Sequence, residues 1–137
     1  MKLAGRQKDQ KGTSTLEFVV VLPTVLLVFF AIMELSRAWL TVNIVTTASR
    51  EGARVGVITP TSSGDVFDPA PAEARIDEIL ASANLSSSAR SVSCPTPCKI
   101  GSQVQADVQV TFDTVMPIFL PMLVGLDINR TTSMRYE

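Results

Sequence analysis

Residues 12–33 read GTSTLEFVVVLPTVLLVFFAIM. Glu17 stands at the mouth of a run that carries no charge from Phe18 to Met33. A carboxylate beside a membrane-length apolar segment is costly, so this one calls for a reason. As a helix rising about 1.5 Å per residue, Leu16 to Leu35 covers about 30 Å, just enough to span a hydrocarbon core. Pro23 lies inside the run. In water it would break a helix. In a membrane or a packed bundle, neighbours satisfy the carbonyl it frees. The stretch reads as a membrane anchor, and the remainder of the chain as what the anchor carries.

Charge gives the anchor a direction. The net charge of the 137 residues is −1. Residues 1–12 carry Lys2, Arg6, Lys8 and Lys11 against Asp9 and sum to +3, whereas everything after them sums to −4. A basic head and an acidic body on opposite sides of an apolar segment place the N-terminus in the cytoplasm and the body across the membrane. The polar leader, residues 1–12, has no periodicity and reads as disordered or removed. Its lysines are a topology signal, and no basic patch elsewhere points to nucleic acid.

A single helix is predicted over residues 13–57, with its transmembrane segment at 18–35. Beyond Met33 the pattern turns amphipathic: Leu35, Ala38, Trp39, Val42, Val45, Ser49, Gly52 and Gly56 recur at three- and four-residue steps, with Arg37, Thr41, Asn43, Thr47, Arg50 and Arg54 off the stripe. The small residues toward its end permit close approach of another backbone. Trp39 suits the outer membrane interface. Glu34 with Arg37 and Glu51 with Arg54 are spaced to pair along an exposed helix, each worth a few tenths of a kcal/mol.

Residues 58–71 form a linker rich in Pro, Ser and Thr, and residues 72–137 a small domain. Asp68-Pro69 or Pro71 starts a second helix over 72–84, with Ile76, Ile79, Leu80 and Ala83 on one face and Asn84 as its stop. Val104, Ala106, Val108, Val110 and Phe112 alternate with polar residues and make the clearest strand. Ile128, Thr132, Met134 and Tyr136 mark a second strand, in which Arg130 is the misfit. Arg90–Cys94 marks a third, joined to the first through the CPTPC–KIGS turn. Between the strands, VMPIFLPMLVGL (115–126) is too short to span a membrane. It reads as a buried connection, with a surface lying on the membrane or a neighbouring subunit as the alternative. In an exported body, Cys94 and Cys98 form a disulfide closing a small loop. A thiolate metal pair is the rival, but the chain has no histidine and no second cysteine pair.

The chemistry at the start of the anchor can now be read. Cutting after Gly12 frees an ammonium at Thr13, with Glu17 one helical turn on. A carboxylate in a first turn gains roughly 0.3–1 kcal/mol from the helix dipole. It can also pair with the ammonium of its own or another chain, which offsets the desolvation of both charges and fixes axial register in a bundle. The plain alternative is a charge at the membrane edge with no role.

Gly12, Glu17 and the aromatic Phe18 resemble the processing site of type IV prepilins. More narrowly, Ser14, Glu17, Phe18, Pro23, Glu34 and the block Ala48-Ser49-Arg50-Glu51-Gly52-Ala53-Arg54 resemble the TadE-like family of tight-adherence (Flp-type) pilus assembly proteins. The resemblance covers residues 12–57; in the major pilins the aromatic after the glutamate is tyrosine. It implies a bacterial minor pilin or pseudopilin in the inner membrane, single-pass, with a periplasmic C-terminal domain and a place in or at the base of an extracellular pilus. It implies a prepilin peptidase acting at Gly12, Thr13, Glu17 and Phe18. It implies an assembly helix bearing Glu17, Pro23, Glu34, Arg50, Glu51, Gly52 and Arg54, which meets other pilins and the inner-membrane assembly platform. The expected fold is α+β: a long N-terminal helix running from transmembrane to periplasmic, then one helix and about three antiparallel strands.

No enzyme emerges. Without histidine, a triad or a His-based metal site is excluded. No cofactor and no small-molecule substrate is implied, and Asp65 with Asp68 lies in the linker. Two other readings compete: a single-pass protein whose periplasmic domain binds an envelope partner, and a soluble domain released by cleavage at Ser36-Arg37-Ala38. The second is disfavoured because the amphipathic stripe runs through that site.

Overall fold

The computed structural model describes residues 10–59, 67–95, 97–115, 117 and 124–135. The fold is α+β. Helix α1 (Gln10–Ile58) is followed by α2 (Ala70–Ser82) and by strands β1 (Ala89–Ser93), β2 (Gln103–Phe112) and β3 (Leu126–Arg135). The strands form one antiparallel sheet in the order β1-β2-β3.

α1 is 49 residues long and passes through Pro23 without a break. It starts ahead of the expected Thr13, so Gly12 lies inside helical backbone. α2 is shifted two residues toward the N-terminus of its expected span. Pro71 stands in its first turn, and the Ala70 amide donates to Asp68 Oδ1 at 3.0 Å. Its end is where Asn84 was expected to stop it. Asn84 takes φ +55°, a conformation Asn tolerates, and the Leu85 amide donates back to the Leu80 carbonyl at 2.9 Å. The leader's residues 1–9, the linker's 60–66 and Tyr136 lie outside the described residues.

The alternation of β2 decides which face of the sheet is covered. Val104, Ala106, Val108, Val110 and Phe112 are buried, while Gln103, Gln105 and Thr111 face solvent. Both helices lie on the apolar face, and Val45, Ala48, Ala53, Ala72, Ile76 and Leu80 join these residues in one core. Arg130 pairs with Val108 across the β2–β3 ladder and so belongs to the inward-facing set, yet it is exposed. β3 is an edge strand, and a long side chain there can reach water past the rim of the sheet.

β2 runs back along α1 in the opposite direction. Gly56 lies beside Val104, Ser49 at the Ala106 carbonyl, and the Arg37 guanidinium over the Phe112 ring. Helix and strand keep step: Gly56 back to Arg37 is about 28 Å of helix, and Val104 to Phe112 is about 27 Å of strand. The Ser93 end of β1 and the Gln103 end of β2 therefore lie at the end of the domain far from the anchor, and the Phe112 end of β2 and the Leu126 end of β3 at the near end.

Candidate functional site

The functional residues expected from sequence lie along α1, which divides into three levels. In the lowest, from Ser14 to Met33, almost every side chain is exposed. The 18-residue window with mean hydropathy 2.6 is 0% buried within the molecule. Among the described residues one helix is long and apolar enough to cross a membrane, and none of them covers that surface. Glu17 and Phe18 are exposed, and among the described residues Glu17 has no ion-pair partner.

The middle level begins at Glu34, the first charge after the apolar run. An exposed helix pair with Arg37 was expected there, and the structure corrects this. Glu34 is only 3% exposed. Its Oε2 meets Arg37 Nη1 at 3.1 Å, and its Oε1 accepts the backbone N–H of Val115 at 2.8 Å. A carboxylate survives burial when its lone pairs are used in this way. Arg37 also lies 5.5 Å from the Phe112 ring centroid. The inward face of α1 is rotated here from the expected stripe. Leu35 and Trp39 are each 68% exposed, while Thr41 is buried with its hydroxyl donating to the Arg37 carbonyl at 3.0 Å. Leu35 and Trp39 sit at the level where the anchor would leave a membrane, so lipid rather than the domain is the medium that suits them. A shallow cleft of about 190 Å³, lined by Arg37, Thr41, Asn84, Leu85, Phe112 and Asp113 among others, opens beside this level.

The upper level is where small residues let the domain close on the helix. A Cβ on Gly52 would stand 2.5 Å from Ile76 Cδ1, and one on Gly56 2.8 Å from Val104 Cγ1, with Phe67 and Val92 at 3.3 Å. The close approach expected of this stripe is met inside the molecule by α2 and β2. Ser49 is fully buried, its hydroxyl 3.1 Å from the Ala106 carbonyl and 2.7 Å from Thr132 Oγ1. With a single proton it donates to the carbonyl and accepts from Thr132. Arg50 and Arg54 face outward, and Arg54 pairs with Glu51 at 3.0 Å.

Elsewhere, Cys94 and Cys98 are joined by a disulfide at the far end of the domain, with Cα atoms 5.7 Å apart. The Arg75 guanidinium is held above its ordinary value by its hydrogen bond to Glu78, and it stays charged at any physiological pH. Among the described residues no group of three or more His, Cys, Asp or Glu is placed to hold a metal.

Residues 12–54 match the family model described as TadE-like protein. The anchor helix is TadE-like. The match starts at Gly12 and ends at Arg54, so it contains the anchor, Glu34 and the small-residue stripe up to Ala53. It stops before α2 and the sheet that this TadE-like helix carries. No curated protein and no solved structure matches the chain. The match covers less than half of the chain, and the matched helix is long and apolar enough to cross a membrane.

Two side chains central to this geometry were not legible as such. Glu34 showed its charge and its spacing to Arg37, but not the Val115 amide 81 residues away. Ser49 read as one small residue of a stripe, and its partners lie 57 and 83 residues on.

Proposed function

We propose that the protein is a pseudopilin, or minor pilin, of a tight-adherence pilus system. It is inserted with its N-terminus in the cytoplasm, is cut by a prepilin peptidase between Gly12 and Thr13, and remains in the inner membrane through its TadE-like helix. Its α+β domain stands in the periplasm. The helix then joins other pilins, in the filament or at the assembly platform.

The observation that carries this reading is the family match beginning at Gly12 on a helix whose apolar surface is bare. An anchor that no described residue of its own chain covers is suited to lipid first and to neighbouring helices later. Cleavage would put the new ammonium of Thr13 about 6 Å along the axis from Glu17. Glu17, with no partner among the described residues, is then available to an ammonium of its own or a neighbouring subunit. Register between subunits follows, because an unpaired charge in an apolar bundle is costly. Arg50 and Arg54 point away from the domain and can contact other subunits or the platform without disturbing its core.

N-terminal sequencing of the protein recovered from membranes of cells co-expressing a prepilin peptidase tests the reading. A mature start at Thr13, lost in a Gly12→Ala variant, is expected. An intact leader with the wild-type Gly12 would sink the cleavage assignment and leave a single-pass envelope protein that binds a partner. A start at Trp39 would make it a released soluble domain.

A further inference from the structure

Strand β3 follows the connection of residues 115–126, most of which lies outside the described residues; where it is described, Val115 and Val124 are exposed rather than buried. β3 carries the stretch Asp127-Ile128-Asn129-Arg130-Thr131. The pleat puts Asp127, Asn129 and Thr131 on the outward face of the sheet, and all three are exposed. The sheet uses two of them. Asp127 Oδ1 accepts the Thr111 hydroxyl at 2.8 Å, and the Thr131 hydroxyl donates to Asp107 Oδ1. The Asn129 carboxamide between them has no hydrogen-bond partner among the described residues. Asparagine is depleted in strands, and the fold gives this one no task.

Asn-x-Thr is the acceptor pattern of N-linked oligosaccharide transfer to exported chains. The hydroxyl after the asparagine offers an enzyme a hydrogen-bonding group beside the reacting amide. The carboxylate before it adds an anion that an enzyme's arginine or lysine can hold. In extended backbone the two groups flank Asn129 symmetrically, about 7 Å along the strand on either side. Asn84-Leu85-Ser86 has the short pattern alone: Ser82 stands two places before it, and Asn84 is held at φ +55° in the turn that ends α2. The folded sheet also has room for a sugar at Asn129. Ala89, Gln109 and Asn129 form one outward row, and Ser91, Asp107 and Thr131 the next. A hollow of about 160 Å³ lies beside Asn129, lined by Ala89, Ser91, Asp107 and Gln109 among others. Hydroxyl, carboxylate and amide groups are the partners that sugar hydroxyls take.

We propose that Asn129 is a modification site, the acceptor of an N-linked oligosaccharide. The donor is an oligosaccharide joined through pyrophosphate to a polyprenyl lipid. Asn129 Nδ2 forms a bond to the anomeric carbon of the first sugar. The bond from that carbon to the pyrophosphate oxygen breaks, and its electron pair leaves with the lipid pyrophosphate. The amide gives up one of its two protons to a base on the transferase. Transfer occurs as the chain emerges, because in the folded sheet β3 is paired with β2 along its whole length. Folding then turns the sugar outward over the hollow. The inference rests on the α+β domain standing across the membrane from the leader, but not on cleavage at Gly12.

The test expresses the full chain in a bacterium supplied with a periplasmic oligosaccharyltransferase and its polyprenyl-linked oligosaccharide. Intact mass reads the modification, and protease added to spheroplasts reads the side of the membrane on which the domain stands. Expected is a mass raised by one oligosaccharide, lost in Asn129→Gln and kept in Asn84→Gln. Asp127→Asn keeps an acceptor for the Thr111 hydroxyl but removes the charge, and is expected to lower occupancy about tenfold. A domain open to the protease but with no added mass overturns the proposal and leaves the topology standing. A domain protected from the protease overturns the topology, and the proposal falls with it. Added mass that survives Asn129→Gln, or undiminished occupancy in Asp127→Asn, overturns the proposal as well.

Discussion

The two halves of α1 share one unbroken backbone and answer to different surroundings. From Phe18 to Met33 the helix carries no charge and is almost wholly exposed. Above it, one face is buried, and that face is built of Val45, Ala48, Ser49, Gly52, Ala53 and Gly56. The lower half has the composition that transfer into lipid asks for, where bulk hydrophobicity matters and the identity of each side chain matters little. The upper half is selected for fit, where a single added carbon meets Ile76 or Val104. A resemblance legible in both halves therefore carries two kinds of information: a solvent below and a partner surface above.

The sharpest way to break this contrast is to make one kind of deletion in both halves. Ile76→Ala removes a fully buried side chain from against Gly52 and is expected to lower domain stability by about 2–5 kcal/mol. Val25→Ala in the anchor is expected to leave the denaturation midpoint of the domain unmoved. Equal losses in chemical denaturation would show that the anchor is packed against the domain after all.

At the boundary between the halves, Glu34→Ala deprives the Val115 amide and Arg37 of their buried acceptor. A loss of about 1–3 kcal/mol is expected, with faster hydrogen exchange at the Val115 amide. Glu34→Gln keeps an acceptor for Val115 and should exchange more slowly than the alanine variant. Identical exchange in the two variants would mean that the contact is incidental.

Within the fitted half, Ser49→Ala removes one partner from both Ala106 and Thr132 and should cost on the order of 1 kcal/mol, read as a small fall in the denaturation midpoint. The smallest effect belongs to the outward face. Arg54→Ala breaks only an exposed pair with Glu51 and should change stability by no more than about 0.5 kcal/mol. If that variant also leaves pilus assembly untouched, the role proposed for Arg54 in contacts between subunits falls.

What could be read in the sequence followed the range of the forces involved. The anchor, the extent of α1, the alternation of β2 and the Asn84 stop are local patterns, and each appears within a residue or a few of its expected place. The rotation of the inward face at Leu35 and Trp39 was not readable, because a hydrophobicity stripe does not say whether lipid or protein will cover it. Arg130 looked like an error in a strand until the sheet order made that strand an edge. The tie from Glu34 to Val115 is an agreement between a side chain and a backbone amide 81 residues apart, and an amide has no signature in a sequence.

The continuity of α1 has a mechanical consequence. Forty-nine residues of helix make a shaft about 74 Å long, and the domain is keyed to its upper part at Gly52, Ser49 and Glu34. Rotation imposed on the lower shaft is delivered to the domain as rotation of the same sign, and axial thrust arrives as thrust. The phase between them is quantised by the helix itself. One residue inserted between Met33 and Glu34 would lift the domain about 1.5 Å and turn it about 100° around the shaft. Four residues would bring it to within about 40° of its original heading, about 6 Å higher. The orientation of the domain on its anchor is thus a property counted in residues.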